Sequence, residues 1–281
     1  MKINILHAGL KSVFNRKGDI IYGLYHALSD LGHEVSINHN LIETSSLNLV
    51  IGSDIICEHE ELVENLVSKG VDYAIYEVEN FNGKTINYLP KVNVNSYIRL
   101  IENSIMTITP YAHNLKALKK IISAEKLVYS RWGFHPSMVS NNIRRGDTHK
   151  YDAVFIGLIK GDRVKKHRMI KEKFCDRFAV ITADDPFTIR DYYMSNSKFG
   201  LSLSYGATDN FVNPFRLHYM VANGVPVLSD HIHDEDGYLS ICNNSNFEKI
   251  LDNLDLETTN PDYPMEICRA NKLTTNLSAI F

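Results

Sequence analysis

Between Asn213 and Leu228 the chain carries both ends of a helix and the strand that follows it. Asn213 is a residue type whose side chain caps a helix start, and Pro214 suits the first helical position, where no N–H is needed. Gly224 can take the left-handed conformation that closes a helix. Val225-Pro226-Val227-Leu228 then reads as a short buried strand. A helix closed by glycine and followed at once by an apolar strand belongs to a parallel α/β sheet. Arg216 falls in the first helical turn, beside N–H groups that point outward at the positive end of the dipole. A cation is unfavourable there unless an anion joins it, and a diphosphate would satisfy both the arginine and the helix start. The alternative is an ordinary core helix with a surface arginine, and these residues alone leave the two open.

The rest of the chain repeats the same alternation. Lys2 to His7 is a β-rich run. The segment KSVFNRKG reads as a loop, and an amphipathic helix is expected from Asp19, with Ile20, Leu24, Ala27, Leu28 and Leu31 on one face and Gly32 at its end. His33 to Ile37 is the second strand, which completes a βαβ opening. Strands follow at 47–51, 73–76 and 104–109, with helices at 58–69, 97–103 and 114–122. Ser140 to Lys150 (SNNIRRGDTHK) has almost no apolar residues and marks the expected domain boundary. A second αβ series then runs through strands at 151–156, 178–182 and 199–204 and helices at 163–174 and 187–195. A short helix is expected at 248–254. The expected organisation is two α/β domains, over 1–139 and 150–262, and a segment 263–281 that packs back on the first.

At 281 residues the chain has room for two such domains. Its 44% hydrophobic and 22% charged residues are those of an ordinary globular protein. A net charge of -3 gives no global electrostatic case for nucleic acid. Cys57, Cys175, Cys242 and Cys268 form no CxxC pair, so neither a zinc site nor a disulfide framework is indicated, and a cytoplasmic setting is expected. MKINILHAGL reads as a first strand, not a signal segment. No run approaches the ~18 apolar residues of a membrane span.

Two successive αβ domains imply a cleft, and ligands in open parallel sheets sit beyond the C-terminal strand ends. Three segments there carry anion-binding residues: the first loop near Gly9 and Lys11, the run Gly157 to Arg163, and Asp209 to Arg216. Lys160, Arg163 and Arg216 could converge on one diphosphate. Neither GxxxxGK[ST] nor a GxGxxG after the first strand is present, which weighs against an NTPase and a dehydrogenase.

This layout resembles the GT-B glycosyltransferases, α/β enzymes with two Rossmann-like parallel-sheet domains facing a cleft and the sugar nucleotide held by the second. The resemblance rests on the strand, glycine and basic residues of Phe155 to Arg163 and on R-x-x-Y-x-x-x-x-G-x-P-V at Arg216 to Val227. The family usually has Glu where this chain has Tyr219. Asp209-Asn210-Phe211 before the helix, and Asn196-Ser197 before an apolar strand, are similar to the donor segment of phage DNA β-glucosyltransferases. A similar helix occurs in bacterial enzymes that build surface glycans. The resemblance implies donor binding by Gly157, Lys160, Arg163, Asn213, Arg216 and Tyr219, with Tyr219 reaching the ribose. The donor would be a nucleotide sugar, in the first place a UDP-sugar, and no further cofactor or metal would be required. The retaining branch commonly has two Glu eight positions apart. Phe211 and Tyr219 occupy that spacing here, which points to inversion.

Inversion needs a base on the acceptor hydroxyl and cations on the departing diphosphate. Glu79 follows the strand YAIY, where the phage-like enzymes place a catalytic Asp, and Glu77 shares its face. Asp19 is the third candidate, with a helix N-cap as its alternative role. His231 and His233 with Asp230, Asp234, Glu235 and Asp236 read as a solvated loop before a metal site, and Asp184-Asp185 only superficially suggests metal-binding acids. His135 reads as ordering the interdomain connection, and Tyr192 and Tyr193 as core and groove residues. The basic run Lys165-Lys166-His167-Arg168, with Lys171 and Lys173, reads as a solvated helix face and is the best local patch for an anionic acceptor. The expected activity is a glycosyltransferase of the EC 2.4 class acting on a saccharide acceptor of surface-glycan assembly. A DNA-base glucosyltransferase and a non-catalytic sugar- or nucleotide-binding protein are the alternatives. The sequence leaves the oligomeric state open.

Overall fold

The computed structural model describes residues 1–7, 11–86, 93–146, 148–182, 185–206, 211–254 and 262–281; the side chains of residues 11–16, 253, 262 and 263 are not described. The chain divides into two units, Met1–Trp132 with Leu273–Phe281, and Gly133–Lys272.

The first unit is built on six strands: β1 (Lys2–His7), β2 (Glu34–His39), β3 (Leu47–Ile51), β4 (Tyr73–Tyr76), β5 (Met106–Thr109) and β6 (Leu127–Tyr129). They form one parallel sheet in the order β2-β1-β3-β4-β5-β6. Its helices are α1 (Lys11–Asp30), α2 (Ser53–Ile56), α3 (Glu60–Ser68), α4 (Val94–Asn103) and α5 (Ala112–Leu118). Every residue of YAIY is buried in β4, as expected of a strand covered on both faces. Leu6, Val50 and Ile75 of the sheet pack with Tyr97, Leu100 and Ile101 of α4 and Val63 and Leu66 of α3. Each fully buried aliphatic side chain of this kind contributes roughly 1.5–3 kcal/mol.

The first helix begins earlier than the periodicity indicates. Residues 11–18, read as a loop, are its first turns, so Asp19 lies within α1 and does not cap its start. The segment KSVFNRKG contains no helix breaker stronger than Gly18, a cost of about 1 kcal/mol. Lys17 is buried, so a residue that scores as surface in a hydrophobicity pattern here faces inward.

The second unit has β7 (Tyr151–Ile156), β8 (Phe178–Ile181), β9 (Ser197–Ser202), β10 (Val227–Ser229) and β11 (Asn243–Asn244), all parallel, in the order β11-β10-β9-β7-β8. Its helices are α6 (Arg163–Phe174), α7 (Phe187–Ser195), α8 (Pro214–Ala222), α9 (Phe247–Asn253) and α10 (Asp262–Ala270). Phe155, Phe199 and Leu201 pack with Ile170 and Phe174 of α6 and Ile250 of α9. The polar stretch Ser140–Lys150 lies within this unit. Its Arg145 guanidinium donates to the carbonyls of Met194, Ser197 and Lys198 at 3.1, 2.8 and 3.0 Å. The final helix, α11 (Leu273–Ser278), belongs to the first unit, where Asn276 donates to the Arg131 carbonyl at 2.7 Å.

Candidate functional site

Both sheets share one topology. The chain lays its second strand on one side of the first and its third strand on the other. That reversal opens a crevice beyond the C-terminal ends of the first and third strands, where ligands of open α/β sheets sit. In the second unit it lies past β7 and β9, and in the first past β1 and β3.

In the second unit Gly157 leaves β7 with φ +142°, its N–H donating to the Ile181 carbonyl at 2.8 Å. A Cβ there would lie 2.9 Å from Nη2, 3.0 Å from Nη1 and 3.1 Å from Cζ of Arg216. Arg216 reaches this place because α8 starts where the sequence says it does: the Asn213 side chain accepts from the Arg216 N–H at 3.0 Å, and Pro214 takes the first position. Gly157, Asn213 and Arg216 are therefore brought together at the strand end, with the guanidinium also 5.9 Å from the Phe155 ring centre.

The other expected donor residues are placed differently. Arg163 donates from Nε to the Leu203 carbonyl at 2.8 Å and from Nη1 to the Leu158 carbonyl at 3.3 Å, so it ties the β7 exit to the β9 exit. Tyr205 stacks beside it, ring centre 5.4 Å from Cζ. Lys160 is exposed. Tyr219 is 7% exposed, its hydroxyl donates to Asp191 Oδ1 at 2.9 Å, and Arg190 stacks on its ring at 3.8 Å. A ribose contact by Tyr219 would have to break that buried hydrogen bond. Asp209 and Asn210, and also Gly9 and Asp184, lie outside the described residues, as does the side chain of Lys11.

A further hydrogen-bonded network lies at the same strand ends. Asp230 accepts from the Ser204 N–H at 2.6 Å and pairs with Lys166 Nζ at 2.5 Å, while Lys166 also donates to Ser204 Oγ at 2.5 Å. Lys166 was legible only as one of a basic run. Its signal is its place on α6 one turn from Arg163, on the face turned to the sheet. Asp234 accepts the N–H groups of Tyr238 and Leu239 at 2.7 and 2.6 Å, and Phe211 bridges to His233. The Asp230–Asp236 segment is thus a hydrogen-bonded loop, and among the described residues no group of three or more His, Cys, Asp or Glu side chains is placed to hold a metal ion.

In the first unit the crevice holds a buried ion triad. Lys17 Nζ lies 2.6 Å from Asp54 Oδ1 and 2.8 Å from Glu79 Oε1, with side-chain exposures of 7%, 12% and 18% for Lys17, Asp54 and Glu79. Burial alone would lower the lysine's pKa, but the two carboxylates outweigh it and hold the ammonium charged well above its ordinary range. Gly52, at φ +83°, turns the chain from β3 into α2 and sets Asp54 over the strand end. Lys17 and Asp54 carried no sequence signal, because they meet only through tertiary structure.

Glu77 is placed otherwise than expected. It is fully buried, and its carboxylate accepts from Ser53 Oγ at 2.6 Å, Tyr97 Oη at 2.7 Å and the Glu79 N–H at 2.9 Å. Burial pushes its pKa up to about 7, against the pull of those three donors. It is neither a solvated loop residue nor open to an acceptor. Glu79 is the partly exposed carboxylate of the pair, its main chain fixed by Asn114, which donates to its carbonyl at 2.9 Å. Asp19, within α1, is half-buried.

No protein-family model matches the chain, and no curated protein does. Solved structures do resemble it. Anabaena HepE, in complex with UDP and glucose, is 12% identical over 100% of this chain and 98% of its own, with a TM-score of 0.60. AviGT4, a glycosyltransferase of avilamycin A biosynthesis, is 10% identical over 99% and 95%, also at 0.60. A putative UDP-N-acetylglucosamine 2-epimerase of Listeria monocytogenes is 10% identical over 99% and 94%, at 0.51. The chain spans about half, 52%, of the length of another similar structure, TarM. With its two all-parallel sheets, the chain has the GT-B fold, as do AviGT4 and HepE.

Proposed function

We propose that the protein is a glycosyltransferase that moves a sugar from a nucleotide sugar, in the first place a UDP-sugar, to an acceptor hydroxyl. The observation that carries this reading is the Gly157–Arg216 pair at the second unit's strand ends. A glycine keeps its own side-chain space for a guanidinium, and that guanidinium stands in the first turn of α8. A diphosphate beside it would receive a charge-assisted fork and a helix dipole together. HepE, a structure of similar fold, is described with UDP and glucose, which supports the donor class. The departing diphosphate would be stabilised by Arg216 and the helix start, with Lys160 as a further cation from the adjoining loop.

Glu79 is the acceptor base in this reading, and the transfer proceeds with inversion. It is the carboxylate past β4 that keeps exposure, whereas Glu77 is enclosed by three donors. We assign the acceptor to the saccharides, in surface-glycan assembly, ahead of the hydroxymethylated bases of phage-type DNA.

A second reading is chemistry on the nucleotide sugar without an acceptor, favoured by the likeness to the Listeria protein. One experiment separates the readings. Purified protein is incubated with a panel of nucleotide sugars, with and without oligosaccharide acceptors, and the products are followed by mass spectrometry and NMR. Transfer with an inverted anomeric centre is expected. An epimerised donor without transfer would establish the second reading, and an unchanged donor that is nevertheless bound would identify a binding protein.

A further inference from the structure

We propose that Lys17 is a positioning residue for Glu79 and that Asp54 sets how tightly Lys17 holds it. The inference rests on the reading of Glu79 as acceptor base. A base must be ionised when the acceptor arrives and still basic enough to take its proton. Lys17 serves the first need: its ammonium, 7% exposed, lies 2.8 Å from Glu79 Oε1 and fixes one oxygen in place. An ammonium held by one carboxylate alone would serve the second need badly, because it would depress the basicity of that carboxylate. Asp54 corrects this, since it lies 2.6 Å from the same nitrogen and cancels part of its field.

Among the described residues, charged and titratable groups approach Glu79 from several elements. Lys17 comes from α1, Asp54 from α2, and Glu77 from the β4 exit, one residue removed along the chain. His113 comes from α5, its Nε2 2.7 Å from Asn80 Oδ1. The main chain of Glu79 is already anchored by Asn114 and by the Glu77 carboxylate. The role left for Lys17 is therefore electrostatic and orientational, and it does not depend on holding the segment in place.

Two substitutions should act in opposite directions, which a merely structural role would not produce. Lys17→Met removes the positive charge, so the acid limb of the kcat/KM profile should move to higher pH. Asp54→Asn leaves the ammonium to Glu79 alone, so the limb should move to lower pH, each shift being about 1–3 pH units. Lys17→Arg keeps the charge and should hold the limb near its original position. The Glu79 side-chain carboxyl, followed by ¹³C NMR with Glu79→Gln to assign it, gives the same titration without reference to activity. Shifts of equal sign, or none, in the NMR titration would overturn the proposal. If Lys17→Met does not fold, Asp54→Asn decides alone, because a limb that stays or rises contradicts the sharing. A protein that transfers no sugar while Glu79 still titrates in opposite directions would defeat the base reading and leave the electrostatic pairing standing.

Discussion

A Cβ on residue 157 would lie 2.9 Å from Nη2 of Arg216. The guanidinium occupies the volume of the missing side chain, so the identity of residue 157 and the position of the cation are one property. Gly157→Ala would add a methyl group against that guanidinium, at a backbone conformation of φ +142° that costs a non-glycine residue about 1–3 kcal/mol. Arg216→Ala should weaken UDP binding by about 1.5–3 kcal/mol, the scale of a charge-assisted hydrogen bond. Gly157→Ala should also weaken it, and the double variant should lose less than the two losses added, because both act on the same group. Calorimetry on folded proteins reads all three. Strictly additive losses would show that the two residues act separately, and an unchanged affinity in Arg216→Ala would remove the arginine from the donor site.

The acceptor base can be tested against its rival in the first helix. Glu79→Gln should lower turnover by about 10²–10⁴-fold, the usual contribution of a general base. UDP affinity should be unchanged, because the residues proposed to hold the donor belong to the second unit. Asp19 lies within α1, so Asp19→Asn disturbs no helix cap and should keep turnover within a few-fold of the parent. Loss of turnover in Asp19→Asn with retention in Glu79→Gln would reverse the assignment.

What the sequence made legible was whatever depends on neighbours along the chain. The helix from Pro214 to Ala222, its Asn213 cap and its glycine exit are all local, and so are the apolar runs of β4 and β7. The stretch before Asp19 reads as a loop because helix periodicity counts a lysine as surface, whereas Lys17 is neutralised by Asp54 and Glu79 from elements 37 and 62 residues away. The same limit applies to Lys166, whose partner Asp230 reaches it across the sheet end. Glu77 and Glu79 share one polar segment and one side-chain type. Only the packing of Ser53 and Tyr97 around Glu77 separates an enclosed carboxyl from an accessible one.

Glu77 should write itself into the pH dependence of stability. Its folded pKa, raised to about 7 by burial, exceeds its ordinary value of 4.5, so the folded state binds the extra proton. The stabilisation is complete below about pH 4.5 and is lost as the pH rises toward 7, an amount of about 3 kcal/mol for a shift of this size. In Glu77→Gln this part of the slope should vanish. Denaturant unfolding between pH 4 and 8 reads it, and a variant with the parent's slope would mean that Glu77 is ionised throughout.

The acceptor assignment makes a prediction about salt. Helix α6 carries the basic run Lys165, Lys166, His167, Arg168, Lys171 and Lys173, the best local patch for a nucleic-acid backbone. The structure withdraws half of them. Lys166 pairs with Asp230, Lys173 donates to the Leu251 carbonyl at 2.7 Å, and His167 packs on Phe178 with ring centres 5.4 Å apart. Burial and Lys171 also lower the pKa of His167, which weakens it as a cation. Lys165, Arg168 and Lys171 remain exposed. About three phosphate contacts would give a slope of log K against log salt of only about -2.7, too shallow a counterion release for tight binding at physiological salt. The protein should therefore elute from duplex DNA below ~150 mM salt, while an oligosaccharide acceptor should show little salt dependence, since it has no counterion atmosphere to release. Retention on duplex DNA above that concentration with a steeper slope, or sugar transfer to a hydroxymethylated base, would replace the saccharide by DNA.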